Sequence, residues 1–211
     1  MDKFDRIESV CVPLLESEID TDAIFPARFL LGIDRQKYRE QLFADRRLDG
    51  SFNLDKPCYA GAEIIVAGPR FGIGSSREHA VWALADFGIR CIIAPSFGEI
   101  FQANCFKNGV LPLLLAGKQY EEVMDAATQA EAMVIDLRSL KLELSNKTSI
   151  DFHVAPDKRK ALLYGQDHID LILEDTSAIT KFERNKRSEQ PWLFLDIDHM
   201  KKVMKRKTSE I

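Results

Sequence analysis

The most constraining feature of this sequence is a regular alternation of short apolar runs and helical segments between residues 63 and 115. The apolar runs EIIVA, CIIA and LPLLL predict strands at 63–67, 91–94 and 111–115, and the segments between them predict helices at about 76–87 and 98–107. Each of these helices is followed by a glycine, Gly88 or Gly109, which suits a left-handed stop. Apolar strands that alternate with helices through short connections are typical of parallel α/β units.

The flanking segments add an accessory portion to this parallel core. They predict a strand at 10–15, a helix ending near 43, a loop at 44–58, a helix at 119–132, alternating strands within 133–154, and helices at 157–165 and 176–184. The expected fold class is therefore α/β, with a parallel core and an antiparallel accessory portion. We expect one domain over residues 1–195 and a flexible basic tail over 196–211.

Composition excludes several classes of function. The chain is 45% hydrophobic and 29% charged with a net charge of −4, which predicts a soluble globular protein without nucleic-acid partners. No apolar run approaches the roughly 20 residues that span a membrane, and the N-terminus lacks a signal-peptide core. The four cysteines show no C-x-x-C spacing, so we expect free thiols, a cytoplasmic location, and no metal or cluster held by this chain alone.

The stretch FGIGSSREHA, residues 71–80, carries the candidate chemistry because it joins a strand to a helix. Glycines at 72 and 74 permit a tight turn, and the amides at the helix start favour an anion. Ser75 and Ser76 add hydroxyl groups, and Arg77 adds a planar fork that matches a carboxylate. The stretch therefore predicts binding of a di- or tricarboxylic acid. The same residues also predict helix capping, with Ser75 or Ser76 as N-cap and Glu78 in a capping box.

Three competing motifs fit this stretch less well. A P-loop requires a lysine that is absent here, and a dinucleotide fingerprint requires a third glycine where Arg77 stands. The G-x-S-x-G elbow of hydrolases is also missing. Ser75 and His79 are four residues apart on the predicted helix, which permits a Ser–His pair but gives a hydrolase little support.

A family resemblance covers nearly the whole chain, from about Cys11 to Trp192. The segments that carry it are FGIGSSREHA, VWALADFGIRCIIAPSFGEIFQANCFKNGVLPLLL, DTDAIFPARFL, LFADRR and ALLYGQDHIDLIL. They resemble the aconitase superfamily's swivelling β/β/α domain, and specifically the bacterial type of 3-isopropylmalate dehydratase small subunit. The resemblance implies a hydro-lyase of leucine biosynthesis that isomerises 2-isopropylmalate to 3-isopropylmalate through 2-isopropylmaleate. It also implies a large-subunit partner, in a heterodimer or higher assembly, that carries a four-iron four-sulfur cluster.

The resemblance also implies roles for individual residues. Ser75 is expected to be the catalytic base, and substrate binding is expected from Gly74, Ser76, Arg77, Arg47, Leu30 and Leu31. Arg47 aligns with the family's D-W-R arginine, although Arg46 replaces the usual tryptophan, and a solvated charge is the alternative for Arg47. The leucines are expected near the substrate's variable side chain, with a core position as the alternative. Supporting roles are expected for Asp20, Asp22, Glu78 and His79, with turn formation equally open for the two aspartates and a buried, hydrogen-bonded position expected for His79.

Two other functions stay open at this stage. One is a related hydro-lyase subunit that acts on homoaconitate, citraconate or another substituted malate. The other is a non-catalytic binding module that has kept the fold, against which the intact Ser75, Ser76 and Arg77 argue.

Overall fold

The computed structural model describes residues 1–31, 37–48 and 50–194. The chain divides into two compact units, Met1–His168 and a second that begins at Ile169. The predicted domain boundary at residue 195 and the basic tail 196–211 lie outside the described residues.

The first unit contains one sheet whose two halves differ in strand direction. Its strands are β1 Arg6–Leu14, β2 Ile64–Ala67, β3 Cys91–Ala94, β4 Leu111–Leu114, β5 Ala132–Asp136, β6 Lys141–Leu144 and β7 Ser149–Asp151. They are arranged in the order β4-β3-β2-β1-β5-β6-β7, with β1 to β4 parallel and β5 to β7 joined antiparallel. The first half of β1 pairs with β5 and its second half with β2, so this strand joins the halves. The predicted α/β class is confirmed.

Eight α-helices occur among the described residues. They are α1 Thr21–Ile24, α2 Tyr38–Gln41, α3 Glu78–Phe87, α4 Glu99–Lys107, α5 Gly117–Thr128, α6 Pro156–Tyr164, α7 His168–Leu173 and α8 Thr176–Glu189. Short 3-10 turns cover Ala27–Phe29, Asn53–Asp55, Pro57–Tyr59 and Pro191–Leu193. Helix α8 belongs to the second unit.

Strands β2 and β3 are buried on both faces, which explains their continuous apolar runs. Because successive strand residues point to opposite faces, Ile65 and Ala67 pack in one core with α3, while Ile64 and Val66 pack in the other with α5. The sheet therefore separates two hydrophobic cores, and α3 and α4 each follow a parallel strand.

Several predicted element bounds are wrong, each for a physical reason. Strand β1 begins at Arg6 rather than at residue 10, because its polar first residues pair with the distant β5. The helix expected to end near residue 43 is reduced to α2, and residues 32–36 lie outside the described residues. Helix α5 ends at Thr128, two residues before Ala130 at φ 54°, and helix α7 was missed altogether.

The segments that follow β1, β2 and β3 meet at the carboxyl edge of the parallel strands. Isolated bridges join Asp20 to Ile73 and Phe71 to Phe97. Ligands of open parallel sheets bind at this edge, and the FGIGSSREHA stretch lies there.

Candidate functional site

A tight turn at Gly72 brings the loop after β2 against the start of α4. Gly72 has φ 72°, and a Cβ built there would lie 2.2 Å from the Phe101 ring. A Cβ at Gly98 would lie 2.4 Å from the Gly72 carbonyl oxygen, and the Gly98 amide donates to the Phe71 carbonyl at 2.9 Å. Only glycine fits both positions, so the turn and the first turn of α4 form one packed structure.

The D-T-D element after β1 supports the same turn from the other side. The Thr21 amide donates to the Ile73 carbonyl at 2.9 Å, and the Thr21 hydroxyl donates to the Ser75 carbonyl at 3.0 Å. The Asp20 carboxylate caps α1 by accepting from the Ala23 amide at 2.7 Å. Thr21 therefore holds the backbone of the turn that carries Ser75. Asp20 contributes indirectly, because it forms the local turn that positions Thr21.

Ser75 and Ser76 are both exposed at the start of α3. The helix begins at Glu78 with Arg77 as N-cap and without a side-chain cap, so the predicted serine cap and capping box are wrong. Glu78 instead accepts a hydrogen bond from the Asn108 side chain at 2.8 Å, which ties α3 to the end of α4. Within the described part of the chain, neither serine hydroxyl nor the amides of Ser75 and Ser76 donate to any acceptor. These donors are available to a ligand.

Arg77 has a half-buried side chain, with an exposed fraction of 22%, that forms an ion pair with Asp22. The Asp22 carboxylate also accepts from the Ala27 amide at 2.9 Å. The hydrogen bond from Arg77, followed by that from Ala27, holds the pKa of Asp22 below its usual value. Asp22 therefore fixes the guanidinium beside the turn and links it to the segment that leads to Leu30.

A cavity of about 270 Å³ opens beside Ser75. It is lined by the glycine turn, Gly72 to Ser75, and by the first residues of α4, Gly98 to Phe101. The structure thus brings Gly74, Ser75, Ser76 and Arg77 together with Asp20 and Asp22, and leaves a cavity beside Ser75.

Arg47 is not brought to this turn. Its guanidinium bonds Asp55, with Nε 2.9 Å from Oδ1, and it stacks over Phe87 at 5.3 Å. Phe87 is the last residue of α3 whereas Arg77 precedes its first, and ten helical residues span about 15 Å. Arg47 instead lines a separate cavity of about 630 Å³ at the other end of α3.

The two leucines differ in their surroundings. Leu30 is half-buried and packs against the core on the α3 side of the sheet. Leu31 has an exposed fraction of 92%. Neither lines the cavity beside Ser75.

His79 packs among aromatic rings rather than in a hydrogen-bond network. Its ring lies 6.0 Å from that of Phe25, 5.9 Å from Tyr38 and 4.7 Å from Trp82. Within the described ranges its side chain forms no hydrogen bond, so that part of the expectation is wrong. His79 anchors the start of α3 to the segment around α2.

Sequence reasoning missed two contributors to the site, Thr21 and the start of α4. The signal for the second was present, because Phe97-Gly98 after β3 repeats the Phe71-Gly72 arrangement after β2. Two aromatic–glycine pairs after neighbouring parallel strands place two turns side by side.

Metal-ligating side chains do not cluster in the described chain: no group of three or more His, Cys, Asp or Glu residues is arranged to hold an ion. Burial raises the pKa of the Cys11, Cys91 and Cys105 thiols, whereas Cys58 is exposed, and all four cysteines are unpaired. None of the described helices is long and apolar enough to cross a membrane.

Comparison with known proteins gives consistent relatives. Residues 1–118 match the family model of the aconitase C-terminal domain, and residues 169–196 match that of the C-terminal domain of 3-isopropylmalate dehydratase small subunits. The second match begins at Ile169, where the second compact unit begins.

Curated relatives span almost the entire chain. The 3-isopropylmalate dehydratase small subunit of Rhizobium rhizogenes is 45% identical over 200 residues, which is 91% of this chain and 99% of that protein. The same subunit of Parvibaculum lavamentivorans is 42% identical over 201 residues, covering 92% and 100%. A crystal structure of a 3-isopropylmalate dehydratase from Methanocaldococcus jannaschii superposes with a TM-score of 0.65 at 25% identity, covering 83% of this chain and 98% of that one. The chain therefore belongs to the family of 3-isopropylmalate dehydratase small subunits, in the aconitase superfamily.

Proposed function

We propose that this chain is the small subunit of a 3-isopropylmalate dehydratase. Together with a large subunit, it isomerises 2-isopropylmalate to 3-isopropylmalate by loss and return of water through 2-isopropylmaleate, a step of leucine biosynthesis. The names of relatives up to 45% identical over nine-tenths of the chain support the reaction. The unpaired cysteines fit a reducing compartment, which supports a cytoplasmic location.

The observation that best supports the proposal is the exposed position of Ser75 at the start of α3. Its hydroxyl is exposed on a turn that two neighbouring segments hold, it borders a cavity, and the half-buried Arg77 lies two residues away. The unpaired amides of the turn, the Ser76 hydroxyl and the Arg77 fork suit the carboxylates of an isopropylmalate.

Ser75 is the proposed base that removes the carbon-bound proton and returns it during rehydration. A serine hydroxyl is too weak an acid to act as an alkoxide without strong local stabilisation. The positive end of α3, the turn amides and Arg77 are the groups of this chain that stabilise negative charge at that oxygen. Because Ser75 is exposed here, the partner subunit must cover it to exclude water.

The iron–sulfur cluster of the enzyme is proposed to belong to the large subunit. The donor set of this chain does not fit a cluster, because the described cysteine thiols that are buried have a raised pKa and do not converge. When bound, such a cluster supplies a Lewis acid for the substrate hydroxyl. This chain supplies the base and the carboxylate ligands.

The decisive experiment is reconstitution with the large subunit and a continuous ultraviolet assay of the unsaturated intermediate. Ser75→Ala should lower kcat by at least about 10²-fold, since positioned proton transfer contributes about 10²–10⁴-fold. Folding should be unchanged, because the Ser75 hydroxyl forms no hydrogen bond with a described residue, and co-purification should show that the variant still binds the large subunit.

The matched control is Ser149→Ala, which changes an exposed serine on β7 whose hydroxyl likewise forms no hydrogen bond with a described residue. Near-normal turnover of Ser75→Ala would remove Ser75 from the proton transfer. A higher kcat/KM for another substituted malate would reassign the substrate. Full activity after replacing Ser75, Ser76 and Arg77 together would make this chain a non-catalytic module.

A further inference from the structure

Thr21, the first residue of α1, is a buried polar residue directly beneath the exposed turn that carries Ser75. Its exposed fraction is 2%, lower than that of the other buried polar residues Ser9 and Asn104. Its amide donates to the Ile73 carbonyl at 2.9 Å, and its hydroxyl donates to the Ser75 carbonyl at 3.0 Å. A buried hydroxyl is costly without such a partner, so the side chain stays bonded to the turn.

The two hydrogen bonds also set the direction of two amides that Thr21 does not touch. A peptide group is planar and trans, so its N–H points opposite to its C=O. Because the Ile73 carbonyl is directed at Thr21, the Gly74 amide is directed away from it. The Ser75 carbonyl fixes the Ser76 amide in the same way. Neither amide donates to an acceptor among the described residues, so both leave a free N–H on the side away from α1.

The backbone at Ser75 depends on this support because the preceding residue is a glycine. Gly74 has φ 97°, and a glycine restricts the chain least. The Ser75 carbonyl also accepts from the Arg77 amide at 2.8 Å, but that bond lies within the same turn. Among the described side chains, Thr21 alone forms a hydrogen bond with residues 72–76. It therefore connects the turn to the rest of the protein at the residue that carries the proposed base.

We propose that Thr21 is a positioning residue for the proton transfer. Its buried hydroxyl fixes the Ser75 peptide, and thereby holds the Ser75 oxygen and the flanking amides in the reactive geometry. A displacement of about 1 Å at a catalytic group costs about 10²-fold in rate. This inference rests on the proposed function and deepens it, since it assigns control of the rate to a buried residue that acts only through Ser75.

The test separates the hydroxyl of Thr21 from its shape. Thr21→Val removes the hydroxyl and keeps the branched side chain, whereas Thr21→Ser keeps the hydroxyl and removes a methyl group. With the reconstituted complex, Thr21→Val should lower kcat per assembled complex about tenfold or more, and leave the KM for 3-isopropylmalate within about threefold. The KM is retained because the Arg77 and Ser76 side chains are unchanged. Thr21→Ser should keep kcat within about threefold of the wild type.

The matched control is Thr128→Val at the end of α5, where the same substitution removes a hydroxyl that donates to the Met124 carbonyl at 2.9 Å. It should leave kcat unchanged. Urea unfolding of each variant measures stability separately from rate. A Thr21→Val variant with a lower urea midpoint but with kcat per assembled complex within threefold of the wild type would show a merely structural role. Equal losses of kcat in Thr21→Val and Thr21→Ser would also overturn the proposal.

A double-mutant cycle tests whether Thr21 acts through Ser75. In the Ser75→Ala background the group to be positioned is gone, so adding Thr21→Val should lower the residual kcat less than about twofold. The same tenfold fall in both backgrounds would mean that the hydroxyl acts elsewhere, and the assignment would be wrong.

These outcomes are separable from failure of the proposed function. If the wild-type complex does not isomerise 3-isopropylmalate, the proposed function fails. If the wild type is active, Ser75→Ala is not, and Thr21→Val keeps the wild-type kcat, the proposed function stands and the role of Thr21 fails.

Discussion

At the scale of single residues, Asp22 links two parts of the site. Its carboxylate accepts hydrogen bonds from the Arg77 side chain and from the Ala27 amide. One side chain therefore fixes the position of the guanidinium and of the segment that leads to Leu30. A substrate carboxylate that binds Arg77 must share this cation with Asp22. The cost of that competition is moderate because the Asp22 side chain is 56% exposed.

The lowered pKa of Asp22 predicts a pH dependence of stability. Since the folded pKa lies below the unfolded one, the stability that the carboxylate contributes is present above the unfolded value, about 3.9, and is lost as pH falls through the folded value. Asp22→Asn should lower the free energy of unfolding by at most about 1 kcal/mol at pH 7. Urea unfolding between pH 7 and pH 3 should show the gap to wild type closing only below about pH 4. A gap that closes near neutral pH would contradict this account.

At the scale of elements, the contact between the glycine turn and α4 is the most demanding feature. It requires a left-handed residue without a Cβ directly against the Phe101 ring. Elsewhere, Gly61 adopts a similar φ of 76°, but nothing lies within 4 Å of a Cβ built there. Alanine at Gly61 would therefore introduce only backbone strain, whereas alanine at Gly72 would also collide with the Phe101 ring.

Gly72→Ala should destabilise the protein by about 3 kcal/mol or more, since the left-handed strain of about 1–2 kcal/mol adds to overpacking. Gly61→Ala should lower the free energy of unfolding only by the left-handed strain, about 1–2 kcal/mol. Urea unfolding monitored by circular dichroism measures both. Equal losses in the two variants would show that the Phe101 ring moves aside freely, which would contradict the close packing of the glycine turn against α4.

At the scale of the whole molecule, both hydrophobic cores are complete within the first unit. No member of either core lies beyond Leu163 among the described residues. The second unit carries exposed apolar side chains, among them Ile169, Ile172, Phe182 and Trp192.

A chain that ends at His168 should therefore fold cooperatively, with a urea midpoint close to that of the full-length protein. The physical reason is that truncation removes no buried core side chain. A broad transition, or a midpoint far below that of the full chain, would show that residues after 168 stabilise the first unit.

Local sequence determined the parallel half of the fold and the chemical content of the site. The apolar runs at β2 and β3 are buried on both faces, and that at β4 is buried except at Leu114, so their continuous apolar composition predicted them as strands. Gly88 ended α3 at a left-handed position, as its place after an apolar run predicts. The serines and arginine of the turn were predicted from the sequence as an anion-binding set, and their binding and catalytic roles stay predictions.

Only the tertiary structure decided which residues meet. Arg47 and Arg77 are both arginines near acids, yet an intervening helix holds them at opposite ends, a separation that sequence spacing does not encode. The antiparallel pairing of Arg6 with Asp136 joins residues that are 130 positions apart. The residues at these strand ends are polar, so the sequence there shows no apolar alternation that would predict a strand. The contact between the Gly72 turn and the start of α4 arises because two turns that are distant in sequence follow the adjacent strands β2 and β3. Long-range packing, rather than local propensity, set these features.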